Sequence, residues 1–224
     1  KRPFFDRLFR NVLSFVLPRP KVFLVLAYLT KLIKPFSFLL PTFLKNSLNL
    51  MPNKIPSKKI ETQKIYKPES GKIISRVALL TGCVQRVISP EINESTIRIL
   101  NRHNVEVIVI PEIECCGSLN HHLGKKDLAH QSFVQNIEKW HDEYITNGLD
   151  AIISNTSGCG TTLKDYGHIF KNDNDLKKKA KKISELTKDV TEYLEESLNL
   201  KIKTNDEKKY KIAYHSACSM QHGQ

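Results

Sequence analysis

The stretch Val105-Glu-Val-Ile-Val-Ile-Pro-Glu-Ile-Glu-Cys-Cys-Gly117 decides the fold. Val105–Ile110 is rich in β-branched residues, as suits a strand buried in a parallel sheet, and Pro111 ends it before a loop with two adjacent cysteines. The same order recurs on both sides. Arg76–Leu80 leads through Thr81 and Gly82 to Cys83, and Ala151–Ser154 leads through Thr156, Ser157 and Gly158 to Cys159. A fourth run, Lys211–Tyr214, precedes Cys218. In the chain, 31 residues separate Cys83 from Cys115 and 42 separate Cys116 from Cys159. A parallel α/β sheet nevertheless collects the carboxyl ends of its strands along one edge. Cys83, Cys115, Cys116 and Cys159 are therefore expected to converge there.

Helical patterns fill the gaps between these runs. Pro90–His103 reads as a helix, with Ser89 to cap it, Pro90 in its first turn and Asn104 to close it; Ile92, Thr96, Ile99 and Leu100 form its expected inner face. Ala129, Phe133, Ile137, Trp140 and Tyr144 share one face of a second helix that Gly148 stops. A short helix after Cys159 reaches about Phe170, and a charged helix is expected over Asp175–Leu198, its lysine run Lys177–Lys182 on a solvated face. The fold class is α/β: a parallel sheet with helices on both faces, preceded by a helical, Pro-rich basic segment. With no GxGxxG or Walker loop, a nucleotide is not the expected ligand.

The net charge of +12 is concentrated. Residues 1–60 hold 12 Lys/Arg against one acid, Asp6, whereas the remaining residues hold 23 against 22. The same 60 residues carry seven of the ten prolines and no cysteine, and none of their apolar stretches approaches the roughly 20 uninterrupted apolar residues of a spanning helix. They read as short amphipathic helices, a connector that docks on a partner subunit or neighbouring domain, with contact to a membrane surface as the alternative. Basic charge without a recognition motif argues against nucleic acid. Residues 61–75 read as a linker. Five widely spaced cysteines without a signal peptide exclude a secreted disulfide scaffold and suit a reducing cytoplasm.

Thiolates are soft ligands for zinc, copper(I) and iron–sulfur clusters. Zinc sites usually draw cysteines in close pairs, and no C-x-x-C occurs here. A cluster can be reached by single cysteines from several loops, and the flanking glycines allow a bulky cofactor to approach. The plainer alternative for Cys115-Cys116 is a reduced pair of small apolar side chains. A disulfide between these neighbours is disfavoured by strain and by the cytoplasmic thiol pool.

Four motifs together resemble the cysteine-rich CCG domain: Thr-Gly-Cys83-Val-Gln, Glu-Cys115-Cys116-Gly-Ser-Leu-Asn-His121-His122, Asn155-Thr-Ser-Gly-Cys159-Gly and Tyr-His215-Ser-Ala-Cys218. The iron–sulfur subunits of glycolate oxidase are the most similar, ahead of those of lactate-utilisation and heterodisulfide reductase proteins. The resemblance implies a first CCG module over residues 76–204 and the start of a second over 205–224, so the chain reads as an internal fragment that would lack an N-terminal ferredoxin domain. It implies an electron-transfer subunit that is not itself catalytic, with a [4Fe–4S] cluster on Cys83, Cys115, Cys116 and Cys159 and Cys218 as the first ligand of the second module. FAD is expected only on a partner subunit, one that oxidises glycolate to glyoxylate or acts on another 2-hydroxy acid such as lactate. The site implied is cytoplasmic, on the inner face of the cell membrane. Where the wider family often has C-x-x-C this chain has Thr156, which leaves four thiolates for the first module. His121 and His122 read as a polar loop, or alternatively as residues that ligate or tune the cluster. A zinc-binding or purely structural interaction module is the rival reading.

Overall fold

Phe4–Val16 (α1) and Pro20–Ile33 (α2) are the first helices of the computed structural model, which describes residues 3–49, 51, 64–200, 211–215, 218 and 221. A 3-10 turn, Lys34–Leu39, continues α2, and Thr42–Asn49 (α3) follows. Here the expectation of short, Pro-punctuated helices is corrected. Pro20–Leu39 is one helical run of 20 residues with mean hydropathy 1.7, 11% of it buried, long and apolar enough by composition to cross a membrane. Pro20 and Pro35 do not break the run, because each sits in the first turn of its segment, where a missing N–H costs little.

Five strands form one sheet: Ile65–Tyr66 (β1), Ser75–Leu80 (β2), Val105–Ile108 (β3), Ala151–Ser154 (β4) and Thr187–Asp189 (β5), in the order β1-β3-β2-β4-β5. β2 to β5 run parallel, with Val77 facing Val107 on one side and Ala151 on the other, and β1 is an antiparallel edge. The linker expected over 61–75 thus contains a sheet strand; residues 61–63 lie outside the described residues. From β2 the chain steps outward to β3 and then returns to the other flank of β2 at β4. That reversal opens a crevice at the carboxyl ends of the strands, the usual ligand site of such sheets.

The intervening helices are Gln85–Ile88 (α4), Pro90–Arg102 (α5), Ser118–His122 (α6), Lys126–Asn147 (α7), Ser157–Lys164 (α8), Tyr166–Ile169 (α9), Lys177–Leu186 (α10) and Val190–Glu196 (α11). They cover both faces of the sheet. Ala78, Leu80, Ile108 and Ile152 pack beneath Phe133, Ile137, Trp140 and Ile183; Val77, Leu79, Val107 and Ile153 pack beneath Ile97, Leu100 and Tyr193. Each large aliphatic side chain so buried contributes roughly 1.5–3 kcal/mol.

The single helix expected over Asp175–Leu198 is two helices separated by β5. Its apolar residues serve opposite faces of the sheet: Ala180, Ile183 and Leu186 lie on one and Tyr193 on the other. The chain must therefore round the sheet's edge. It does so as a strand beside β4 and restarts at Asp189 with a capping box to Glu192. On α5 the buried face is Asn93, Thr96, Ile97 and Leu100, whereas Ile92 is exposed. The strand expected over Lys211–Tyr214 does not form, and Ile212 and Tyr214 are exposed.

Candidate metal centre

The three parallel strands β2, β3 and β4 each deliver cysteine to the same edge. Cys83 follows β2 through Gly82, Cys115 and Cys116 follow β3, and Cys159 lies in the first turn of α8 after β4. The thiols of Cys116 and Cys159 are 3.1 Å apart. Cys115 makes hydrogen-bond contact with both Cys116 and Cys83, so the four sulfurs form a continuous series from Cys83 to Cys159. All are free thiols, buried at Cys115 and Cys116 and half-buried at Cys83 and Cys159.

This crowding shapes their protonation. The neighbouring thiols of Cys116 and Cys83, with the N–H of Gly117 donating from 3.4 Å away, stabilise the Cys115 thiolate and hold its pKa down at about 3. The same contacts, with burial, push Cys83 and Cys116 well up. With Cys115 lowered and Cys83 and Cys116 raised, the set releases protons as metal binds.

The Cys115-Cys116 turn is fixed from below. Tyr166, fully buried on α9, donates its hydroxyl to the Cys116 carbonyl at 2.8 Å. Asn136, on the inner face of α7, donates to the Cys115 carbonyl at 2.9 Å and to the Tyr166 hydroxyl at 3.0 Å. Gly117 turns the chain at φ +81, and a Cβ there would lie 2.5 Å from the Phe133 ring, so glycine permits both the conformation and the packing. A Cβ on Gly158 would meet nothing within 4 Å, so the loop is open beside Cys159.

Among the described residues no three His, Cys, Asp or Glu side chains are arranged as a single metal ion requires. The donor set itself, four soft sulfurs from three loops with an open side, fits a cluster reached from several directions. His121 and His122 are exposed at the end of α6, the His121 ring against Phe133 at 5.8 Å. Cys218 is exposed. Sequence reading missed Asn136, Tyr166 and the amides Gln85, Asn93 and Asn155. Asn136 and Asn93 had a visible signal, since each is a polar residue among apolar positions on a helix's inner face.

A profile of the cysteine-rich domain matches residues 77–164. The chain carries a CCG domain. It is 34% identical over all 224 residues to the glycolate oxidase iron-sulfur subunit of Escherichia coli, of which it covers 51%. Identity is 29% over 157 residues, or 70% of the chain and 34% of the relative, to the probable glycolate oxidase iron-sulfur subunit of Bacillus subtilis. It is 28% over 126 residues, 56% of the chain and 50% of the relative, to lactate utilization protein A 1 of Bacillus cereus. The chain thus spans about half the length or less of these relatives. No solved structure matches. The expected resemblance holds along the whole chain, and the CCG domain covers the strands and loops that bring the four thiols together.

Proposed function

We propose that this chain is the cluster-bearing part of an iron–sulfur subunit in a complex that oxidises glycolate. Convergence of four thiols at the switch point of a CCG domain carries the proposal. Cys83, Cys115, Cys116 and Cys159 hold one [4Fe–4S] cluster, which supplies one-electron transfer when bound. Burial of Cys115 and Cys116 keeps water from the inner side, and Tyr166 and Asn136 orient the turn. A flavin on a partner subunit would take two electrons and two protons from glycolate, leaving glyoxylate, and a cluster held by these four cysteines would supply one-electron transfer from it. Cys218 belongs to a second module. The test is electron paramagnetic resonance of the anaerobic complex after glycolate is added. A reduced-cluster signal that is lost in Cys116→Ser is expected; a complex that turns over glycolate with no cluster signal at this site overturns the proposal. Lactate in a parallel sample distinguishes the substrates.

The connector supports a peripheral place on the inner face of the cell membrane. α1 turns its polar side to the module, where buried Ser14 donates to Asn120 at 2.7 Å and Lys125 to Asn11 at 2.5 Å. Phe4, Phe5, Leu8, Phe9, Val12 and Phe15 are left exposed. α2 packs Phe23 and Ala27 on Val87 of α4, which fixes it along the module and favours lying on a bilayer over crossing it. Sedimentation with phosphatidylglycerol vesicles, weakened by salt and by Phe5→Asp with Phe9→Asp, is the expected result; no binding rules this placement out.

A further inference from the structure

Between the Cys83 and Cys159 loops lies a set of side-chain amides that no part of the chemistry described above uses. Asn93 of α5 is fully buried and has every polar atom engaged: its Nδ2 donates to the Thr81 carbonyl at 2.8 Å, and its Oδ1 accepts from Gln85 at 2.8 Å and from Asn155 at 2.9 Å. Gln85 Nε2 also donates to Asn155 Oδ1 at 2.9 Å, and Asn155 Nδ2 to Thr96 Oγ1 at 3.0 Å. Thr156 Oγ1 closes the loop by donating to Gln85 Oε1 at 2.8 Å. Gln85 stands two residues after Cys83, and Asn155 and Thr156 stand four and three residues before Cys159.

We propose that Gln85, Asn93, Asn155 and Thr156 form a clasp that sets the spacing of the two outer thiols, Cys83 and Cys159, before any cofactor arrives. The proposal rests on the cluster reading for its purpose but not for its geometry. None of these bonds involves sulfur, so the clasp holds the loops whether or not metal is present. A displaced loop would leave the fully buried Asn93 amide and the half-buried Gln85 and Asn155 amides short of partners. The inner pair, Cys115-Cys116, is fixed by a separate device, Tyr166 and Asn136. The outer thiols have no such pin on their own carbonyls among the hydrogen bonds described above; their loops are joined through side chains. These four are positioning residues. The rotation of α5 that exposes Ile92 and buries Asn93 follows from the same requirement.

The test compares the full chain with Gln85→Met, Thr156→Val and the conservative Thr156→Ser. Thr156 is exposed, so its variants leave the packing alone. In the apo protein, dibromobimane bridging of Cys159 to its neighbouring thiols, mapped by peptide mass spectrometry, is expected to fall in Gln85→Met and Thr156→Val and to stay at the wild-type level in Thr156→Ser. After anaerobic reconstitution, Gln85→Met, which removes all three clasp hydrogen bonds of the Gln85 amide, is expected to lose iron to a chelator at least about tenfold faster than wild type. Its resonance spectrum should shift as well. Wild-type bridging in folded Gln85→Met and Thr156→Val overturns the clasp. If wild type takes up no cluster, the cluster reading fails and the bridging pattern alone still decides the clasp.

Discussion

At the amino edge of the sheet, Arg76 serves stability: its guanidinium reaches Glu106 at 2.8 Å, Glu143 at 2.6 Å and the Gly148 carbonyl at 2.8 Å, so these three charges are paired within the protein. At the carboxyl edge of the same strands the four thiols have mainly one another as partners. The backbone around them is held with equal care, by Tyr166 and Asn136 under the inner pair and by the amide clasp between the outer loops. One edge is closed and charge-balanced; the other is a rigid frame around side chains whose natural partner is a metal. The difference shows where a doubly wound sheet keeps stability and where it keeps function.

Substitution at each edge separates the two roles. The largest loss of stability is expected from Arg76→Met, which leaves the buried Glu106 carboxylate without its ion pair and costs about 3 kcal/mol. Denaturant unfolding should show that loss while iron uptake per folded chain stays at the wild-type level. A smaller loss, about 1–3 kcal/mol, is expected from Gly117→Ala, which forces a side chain into the left-handed region and against Phe133. Here iron uptake should fall together with stability, because the strained residue is the one that aims Cys116. Equal iron uptake in the two variants would erase the contrast between the edges.

Much of this was legible in the residues. Val105–Ile110, Arg76–Leu80 and Ala151–Ser154 announced buried parallel strands, and a cysteine after each announced the shared edge. β5 was not visible because Leu176 to Leu194 keeps helical spacing across two helices that serve opposite faces of the sheet. The capping pair Asp189 and Glu192 was the available signal for the restart. β1 was hidden by its two-residue length. The clasp could not be read because it depends on amides brought together from residues 85, 93 and 155, and only the polar intrusion of Asn93 on an apolar face hinted at it.

The most direct test of the central claim is elemental: iron, acid-labile sulfide and zinc measured on the chain purified without oxygen. The account predicts iron and sulfide in equal amounts, lost together when Cys83, Cys115, Cys116 or Cys159 is changed to Ser and retained in Cys218→Ser. Zinc without labile sulfide, or iron that survives Cys116→Ser and departs in Cys218→Ser, would contradict it.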